Sequence, residues 1–340
     1  MAASTIKDVA KAAGVSVATV SYVINAGPRP VTEETRARVL AAMQALGYEP
    51  NASARRLRRQ HNNVLGMALA GLSGRPGISD LYFLDLTRGV SIAVDSAGYD
   101  LMVFGNHNAL QTESFYQSLK GKQMIDGLIA SGSAINPRGL ERLTGALPIV
   151  LIGRYLHQVD VCRVSFSYQQ DAYLATQHMI NRGHRKIGLL LNLFEYDSEP
   201  LRLAGYRAAL EEAGLSFDPA LVRTPAEREI FPDEQAVRRL ITDQQVTALV
   251  TAPYIEICTY LKQAGEPYNR VEVVTVDYER IVPRTPNLVA GLSLAKYEAG
   301  LMAVELLLRQ IKGDPDIPRQ SILPSNFESF FTPTVAESLP

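Results

Sequence analysis

The side chains in this sequence that are best placed to do chemistry follow a glycine close to the N-terminus. Gly14 tolerates a left-handed backbone, and Ser16 can cap a helix that begins directly after it. The residues left on the outer face and first turn of that helix are Val17, Ala18, Thr19, Ser21 and Tyr22. Hydroxyl groups can hold phosphates and small apolar groups can contact base edges, so this surface is suited to reading DNA.

Three short helices are predicted to position these side chains. Thr5 caps the first helix, and Thr32 begins a third helix that runs to about Leu46. The residues predicted to face inward are Ile6, Val9, Ala10 and Ala13 in the first helix, Val20, Val23 and Ile24 in the second, and Val39, Leu40 and Met43 in the third. Two helices joined by such a tight turn form a helix-turn-helix, which places its second helix in the major groove of DNA.

An arginine-rich segment follows the predicted helices. Residues 51–59 contain four arginines around Leu57, although such a run can also be a plain solvated linker. Residues 1–62 hold nine Lys/Arg against four Asp/Glu, a net charge of +5, whereas the whole chain carries −1, so residues 63–340 carry −6. A basic head on an acidic body is the charge distribution expected of a protein that binds DNA phosphates through its head.

The order of short sequence words over residues 4–59 is more specific than the helix pattern alone. These words are TIKDVA at 5–10, GVS at 14–16, ATVS at 18–21, Asn25, ETR at 34–36 and GYEPN at 47–51. With them, the segment resembles the headpiece of the lac repressor/galactose repressor (LacI/GalR) family. The resemblance implies a transcriptional repressor, and its partners would be double-stranded operator DNA, a second copy of the chain in a homodimer, and a small effector.

By this resemblance, Val17, Ala18 and Tyr22 read bases in the major groove. The residues expected to hold phosphates are Ser16, Thr19, Ser21 and Asn25, and two further residues expected to contact DNA are Thr5 and Asn51. Tyr22 stands where many relatives carry arginine. Because Val17 and Ala18 are so small, recognition of the base sequence would depend on hydrogen bonds from Tyr22 or on contacts with thymine methyl groups.

The resemblance also implies that residues 51–62 contain a hinge helix that folds only on operator DNA. Leu57 would wedge into a central base step of the minor groove, beside Ala54 and Arg55. An apolar side chain flanked by arginines suits this role, because inserted apolar wedges kink DNA at the minor groove.

The remainder of the chain alternates short apolar runs with amphipathic helices, in two series. The predicted strands are 64–70, 100–104, 127–130, 149–152 and 161–166 in the first series, and 186–191, 248–251, 271–276 and 289–292 in the second. The predicted helices are 84–97, 201–213, 233–242, 254–264 and 296–312. Strand–helix–strand repetition indicates parallel sheets covered by helices, and ligands of such sheets bind at the carboxyl ends of the strands.

The predicted fold is an all-α helix-turn-helix headpiece with a hinge helix, followed by an α/β core of two parallel-sheet lobes. The resemblance implies that this core is periplasmic-binding-protein-like. The predicted domains are 1–50 for the headpiece, 51–62 for the hinge helix and linker, and 63–340 for the effector-binding and dimerisation core. Within the core, lobe 1 would take about 63–166 and 293–325, and lobe 2 about 167–292 and 326–340.

The same resemblance indicates which residues bind the effector, a carbohydrate or nucleoside-like compound, between the lobes. Arg202 would place its planar guanidinium on ligand hydroxyls or carboxylates, and Asp277 would bind the ligand from the end of a strand. Tyr82 and Phe83 would stack on a ligand ring, and Phe166 ends the first lobe beside the cleft. The plain alternatives are a surface arginine, a turn carboxylate and a pair of core aromatics.

Several residues depart from the family pattern and count against a standard monosaccharide effector. Ala252-Pro253 replaces a common Asn-Asp, and Gly153 replaces an aspartate of some sugar-binding members. Phe330-Phe331 stands where many members have a basic residue. A less polar ligand, a nucleoside, or no small effector at all are the alternatives.

The sequence predicts neither catalysis nor a bound metal or cofactor. Cys162 and Cys258 lack metal-ligand spacing, His184 lies in a loop to which we assign a structural role, and no nucleophile has a motif with a base around it. No segment reaches membrane-spanning length and no signal peptide is recognisable, so we expect a cytoplasmic protein. The alternative functions are a sugar-binding transport protein and a carbohydrate-acting enzyme on an α/β scaffold.

Overall fold

A computed structural model gives the architecture of two compact units, Met1–Asn62 and Asn63–Pro340, which are taken separately here. It describes residues 4–25, 31–48, 62–69, 82–131, 135–153, 159–191, 197–224, 234–252, 254–278 and 285–330. The predicted hinge-helix residues Asn51, Ala54, Arg55 and Leu57 lie outside these ranges.

The described part of the first unit contains three helices, α1 (Ile6–Ala13), α2 (Val17–Asn25) and α3 (Glu33–Ala45). Each begins after the predicted hydroxyl residue, whose oxygen accepts a hydrogen bond from a first-turn backbone N–H. These bonds join the N–H of Asp8 to Thr5, of Thr19 to Ser16 and of Thr35 to Thr32. Gly14 has a φ of 63°, the left-handed conformation that lets the chain turn sharply between α1 and α2.

A small apolar core joins the three helices. Val9, Val20 and Val39 are fully buried, one from each helix. The prediction that Leu40 faces inward is wrong, because Leu40 is 51% exposed and Ala42 is buried instead. Consecutive helical residues lie about 100° apart around the axis, so the buried face continues from Val39 at three- and four-residue spacing and leaves Leu40 outside.

The described part of the second unit contains two six-stranded sheets, and the first of them defines lobe 1. Its strands are β1 (Val64–Leu69), β2 (Asp100–Phe104), β3 (Gly127–Ser131), β4 (Ile149–Ile152), β5 (Cys162–Phe166) and β11 (Gln320–Leu323). They lie in the order β11-β5-β4-β3-β1-β2, and all of these pairs are parallel. The helices of this lobe are α4 (Tyr82–Ser96), α5 (His107–Leu110), α6 (Glu113–Lys122), α7 (Pro137–Glu141) and α12 (Lys296–Ile311).

The second sheet defines lobe 2. Its strands are β6 (Ile187–Leu190), β7 (Val222–Arg223), β8 (Ala248–Thr251), β9 (Glu272–Thr275), β10 (Leu288–Ser293) and β12 (Asn326–Ser329), in the order β12-β10-β9-β8-β6-β7. The helices are α8 (Tyr168–Asn181), α9 (Ser198–Glu212), α10 (Glu234–Thr242) and α11 (Tyr254–Ala264), with 3-10 turns at Pro219–Leu221 and Tyr268–Arg270. The parallel pairing predicted for the sheet holds except at β12, which runs antiparallel to β10.

The chain crosses between the two sheets after β5, after β10 and after β11. Residues 324–325 separate β11 in the first sheet from β12 in the second. After this short connection, β12 lies at the edge of the second sheet and runs antiparallel to β10. The edge strands β7, β11 and β12 were not predicted, because they are at most four residues long and their residues are partly exposed, so they form no apolar run. The crossings bring the carboxyl ends of both sets of parallel strands to the junction between the lobes.

Glycines let the helices of each lobe touch backbone to backbone. A Cβ atom on Gly205 in α9 would lie 2.0 Å from the carbonyl oxygen of Gln169 in α8. A Cβ atom on Gly89 in α4 would lie 2.1 Å from the carbonyl oxygen of Tyr297 in α12. Any larger residue would push these helices apart. Glycine at both positions therefore keeps each pair of helices close and sets the position of the interlobe side chains that they carry.

Candidate functional site

The N-terminal end of α2 is the first candidate site. Ser16 caps the helix through a 3.1 Å hydrogen bond from the backbone N–H of Thr19, and the two hydroxyls lie 2.9 Å apart. Val17 and Ala18 are exposed on the first turn, and Tyr22 is half-buried one turn later. The helix therefore offers short side chains to a partner at its end, where its dipole favours a negative group such as phosphate.

The remaining residues predicted to contact DNA are less completely described. Thr5 is exposed, and its hydroxyl donates a 2.7 Å hydrogen bond to the carboxylate of Asp8. This bond, with a second from the backbone N–H of Thr5, lowers the pKa of Asp8 and completes the cap of α1. Ser21 is half-buried. The side chain of Asn25, which is predicted to hold a phosphate, lies outside the described part of the structure.

Arg202 and Glu199 form a buried ion pair on α9, after the carboxyl end of β6. The Nη1 atom of Arg202 lies 2.7 Å from Oε1 of Glu199, and the residues are 1% and 0% exposed. The Ser198 hydroxyl donates to the same carboxylate oxygen at 2.8 Å, and the guanidinium carbon lies 5.2 Å from the centre of the Tyr168 ring. Arg202 is therefore not a surface arginine, and a carboxylate of its own helix balances its charge.

Asp277 and Tyr82 approach one lysine from opposite lobes. Asp277 follows β9, and its Oδ1 lies 3.1 Å from Nζ of Lys296, the buried first residue of α12. The same Nζ lies 4.6 Å from the centre of the Tyr82 ring, a distance at which a cation is attracted to the ring face. Lys296 thus joins two residues predicted to bind the effector.

The Tyr82 hydroxyl takes up the space beside Gly153. A Cβ atom on Gly153 would lie 2.7 Å from this hydroxyl, and Gly153 has a φ of 89°. A larger residue would clash and would also strain the backbone. The absence of an aspartate at this position therefore has a local reason, which is that the phenol supplies the polar group there.

Asp171 lies at the start of α8 and links two of the segments that cross between the lobes. Its carboxylate accepts hydrogen bonds from the hydroxyls of Ser167 at 2.8 Å and Ser325 at 2.7 Å. Burial raises the pKa of Asp171 to about 6, although both hydroxyls and the charge of Arg202 favour the ionised form and Asp277 opposes it. These electrostatic effects place Asp171, Arg202 and Asp277 in one interacting group.

Phe83 and Phe166 lie in the core of lobe 1 and are 3% and 2% exposed. The Phe83 ring meets the Tyr82 ring edge-on with centres 5.0 Å apart, and the Phe166 ring meets the Tyr168 ring in the same way at 6.0 Å. Both phenylalanines therefore support tyrosines that belong to the interlobe group, and neither offers an open ring face.

Glu199, Lys296 and Asp171 were not predicted from the sequence. Glu199 had a usable signal, because it precedes Arg202 by three residues and such residues are neighbours on a helix. Lys296 and Asp171 had no local signal, since each lies in the first turn of a helix that follows a buried strand, as many polar residues do. Only the meeting of the two sheets shows that they share a site.

The departures from the family pattern in lobe 2 lie in apolar surroundings. Ala252 is 6% exposed, and its carbonyl oxygen accepts a hydrogen bond from the Thr275 hydroxyl at 3.2 Å. Phe330 packs on Tyr278 with ring centres 4.9 Å apart. These contacts fill part of lobe 2 with apolar groups where polar ones could have stood.

His184 belongs to a separate ion-pair cluster at the amino end of β9. Its ring nitrogens lie 2.8 Å from the Thr247 hydroxyl and 2.9 Å from the carboxylate of Glu272. Arg182 donates two hydrogen bonds of 2.6 Å to the same carboxylate, and these are the main reason that the pKa of Glu272 falls to about 2. The cluster ties α8 to the sheet and lies away from the carboxyl ends of the strands.

The described ranges contain no group of three or more His, Cys, Asp or Glu side chains that could hold a metal ion. None of the helices in those ranges is long and apolar enough to cross a membrane.

The sequence matches three protein-family descriptions. Residues 5–51 match "Bacterial regulatory proteins, lacI family". Residues 75–243 match "Periplasmic binding proteins and sugar binding domain of LacI family", and residues 176–327 match "Periplasmic binding protein-like domain". The first of these covers the three headpiece helices, and the other two cover most of both lobes.

Individual proteins are similar over most of the same length. The chain is 31% identical over 318 residues to the HTH-type transcriptional repressor PurR of Edwardsiella ictaluri, covering 91% of this chain and 90% of that protein. It is 36% identical to PurR of Proteus mirabilis over 217 residues, 63% of this chain and 61% of that protein. In fold it is similar to the lac repressor dimer bound to operator and the anti-inducer ONPF, with a TM-score of 0.73, 21% identity and coverage of 96% and 98%.

Proposed function

The chain belongs to the lacI family of bacterial regulatory proteins, and from this premise we propose that it is a repressor that binds a pseudo-palindromic operator as a homodimer. A small effector between the lobes would alter its affinity for that operator. The observation that carries the proposal is the hydroxyl-capped helix α2, which buries Val20 and Val23 and exposes Val17 and Ala18 at its N-terminal end. Such a helix can enter a major groove without losing its packing on α1 and α3.

In the proposed complex, Val17, Ala18 and Tyr22 face the bases. The hydroxyls of Thr5, Ser16, Thr19 and Ser21 and the amides of Asn25 and Asn51 hold phosphates. Leu57 enters the minor groove with Ala54 and Arg55 beside it, and the net charge of +5 over residues 1–62 supports this arrangement. One headpiece makes few base contacts, so a two-fold dimer on a two-fold DNA site is needed for high affinity.

The effector is proposed to be a carbohydrate or nucleoside-like compound bound by Arg202, Asp277 and Tyr82. Support comes from the placement of all three at the carboxyl ends of the parallel strands of two lobes. A ligand that contacts both lobes favours one angle between them, and it changes DNA affinity only by its difference in affinity for the two arrangements. The lac repressor, bound to operator and an anti-inducer, is a relative in fold that combines both ligands.

The proposed DNA binding is tested by using the full chain to select sequences from random DNA duplexes. We expect the selected sequences to be inverted repeats. Tyr22→Ala should weaken binding to them by about 1–3 kcal/mol while leaving binding to random DNA unchanged, because base contacts specify and phosphate contacts do not. Gln44→Ala, at an exposed position of α3, is the control. Equal losses on selected and random DNA would refute base readout by α2.

The proposed effector binding is tested by measuring affinity for the selected operator in the presence of a panel of neutral sugars and nucleosides. A true effector should shift operator affinity for the wild-type chain, and Asp277→Asn should reduce the response at a given ligand concentration. Glu328→Gln, on β12, is a matched control for the lost charge. If Asp277→Asn responds to the effector as the wild type does, Asp277 does not bind the effector.

A further inference from the structure

Resting on the proposed function of the interlobe cleft, we propose that Glu199 determines the charge class of the effector. The site would take uncharged or positively charged polyhydroxyl or nucleoside ligands and would exclude ligands that carry a carboxylate or phosphate. Arg202 would act as a neutral hydrogen-bonding surface, since its counter-ion is already built into the chain.

The first support is the geometry of the pair. Nη1 of Arg202 lies 2.7 Å from Oε1 of Glu199, and the side chains are 2% and 0% exposed. An arginine recognises an anion through parallel N–H groups directed at two oxygens. One of those nitrogens already donates to Glu199, and an incoming carboxylate would meet the Glu199 carboxylate at close range in a medium that screens charge poorly.

The second support is the charge balance of the whole interlobe group. Its cations are Arg202 and Lys296, and each already faces a carboxylate, that of Glu199 or Asp277. Asp171 adds a third carboxyl, which interacts with both Arg202 and Asp277. Both cations therefore already have a counter-charge from the chain. An anionic ligand would have to compete with Glu199 or Asp277 for them, whereas a hydroxyl group would not.

The third support is the hydrogen-bonding capacity that remains. The Nε of Arg202 is buried and has no hydrogen-bond partner among the described residues. A single N–H donor suits a neutral acceptor such as a sugar hydroxyl or a base carbonyl. The hydroxyl of Ser198 and Nη1 of Arg202 both donate to Oε1 of Glu199, so this carboxylate is held facing the guanidinium.

The test compares matched ligands on the full chain and on Glu199→Gln. The probes are glucose, glucosamine, glucuronate and glucose 6-phosphate, with adenosine and adenosine 5′-monophosphate as a second set. Binding is followed by calorimetry and by the shift in thermal unfolding. The glutamine oxygen can still accept from Ser198 and Arg202, so the variant keeps these hydrogen bonds while it loses the negative charge, at some cost in stability because the Arg202 guanidinium is left without its counter-ion.

For the wild type we expect the anionic probes to bind less tightly than their neutral or amino counterparts, or not at all. In Glu199→Gln the affinity for an anionic probe relative to its neutral counterpart should rise at least about tenfold, as for removal of a like charge at close range. Glu211→Gln, an exposed position on the same helix, should leave the ratio unchanged. Glu199→Asp keeps the charge and should keep the exclusion of anions.

The proposal is overturned if the wild type prefers glucuronate or a phosphate to the matched neutral probe. It is also overturned if no anionic probe gains affinity for Glu199→Gln, or if Glu199→Asp gains as much as Glu199→Gln does. These measurements contain no DNA. A failure of the proposed repressor function is seen separately, as failure of the wild-type chain to select operator sequences.

Discussion

At the scale of single residues, the pair between Glu199 and Arg202 places two opposite charges in a buried position. A charge that is removed from water is stable only when its partner and hydrogen bonds compensate for lost hydration. Here the compensation comes from two residues on one helix and from the Ser198 hydroxyl. Arg202 is consequently a structural member of the core as well as a proposed ligand contact, and simple removal of its side chain tests both roles at once.

We predict that Arg202→Met lowers the stability of the core by about 3–5 kcal/mol, because it leaves the Glu199 carboxylate buried without its cation. The double variant Glu199→Met/Arg202→Met should recover most of the loss, since it removes both charges. Thermal and urea unfolding of the two variants and the wild type measure this. Losses that simply add in the double variant would show that the two residues do not depend on each other.

The raised pKa of Asp171 predicts a specific pH dependence. The folded chain holds the Asp171 proton up to about pH 6, whereas the unfolded chain releases it near 3.8. The proton therefore favours folding at acidic pH, and this contribution is lost as pH rises through about 6. Asp171→Asn stays neutral, so its melting temperature relative to wild type should rise between about pH 4 and about pH 6 and level off above. A constant difference across this range would contradict the prediction.

At the scale of elements, close helix contacts hold the interlobe side chains in place. Gly205 and Tyr206 belong to the same short word as Arg202, and both have structural roles. Gly205 lets α9 touch α8, and the buried Tyr206 hydroxyl donates to the carbonyl oxygen of Ile187 at 2.8 Å. The position of Arg202 thus depends on the packing of its own helix against α8 and β6.

We predict opposite effects for the same substitution at two glycines. Gly205→Ala should destabilise the core by about 1–3 kcal/mol or more, because its methyl group would meet backbone atoms of α8. Gly121→Ala, in α6 with no heavy atom within 4 Å of the added Cβ, should stabilise by up to about 1 kcal/mol through helix propensity. Thermal unfolding of both variants checks this. A neutral Gly205→Ala would show that α8 and α9 separate at little cost.

At the scale of the whole molecule, charge is divided unequally along the chain. Residues 1–62 carry +5, and the remaining residues carry −6. The positive charge favours phosphates whatever the base sequence, and the negative charge keeps the rest of the chain from competing for DNA. In the proposed complex, specific binding must therefore come from base contacts and from the simultaneous use of two headpieces.

We predict that two chains bind each operator and that operator affinity falls steeply with salt. A dimer that makes about 6–10 phosphate contacts should lose about 10³–10⁵ in affinity between about 50 mM and 200 mM salt. Sedimentation velocity on a labelled operator gives the number of chains, and anisotropy titrations give the salt dependence. A single chain bound at full affinity, or affinity that is flat with salt, would count against the proposed complex.

Local patterns in the sequence were sufficient to predict the fold class and the main helices and strands. Hydroxyl caps at Thr5, Ser16 and Thr32 and the left-handed turn at Gly14 were predicted because each acts within about one helical turn. The buried strands were found because they read as short apolar runs. The edge strands β7, β11 and β12 were missed, since their residues are partly exposed and form no apolar run, and their pairing depends on distant partners.

The composition of the interlobe group was decided by tertiary structure alone. Tyr82 and Lys296 lie far apart in sequence, as do Asp171 and Ser325, and no local period relates them. The sequence determined that polar side chains follow buried strands, but the crossing of the chain between two sheets determined which of them meet. Burial then paired each cation with a carboxylate, because an isolated charge in that environment is too costly to keep.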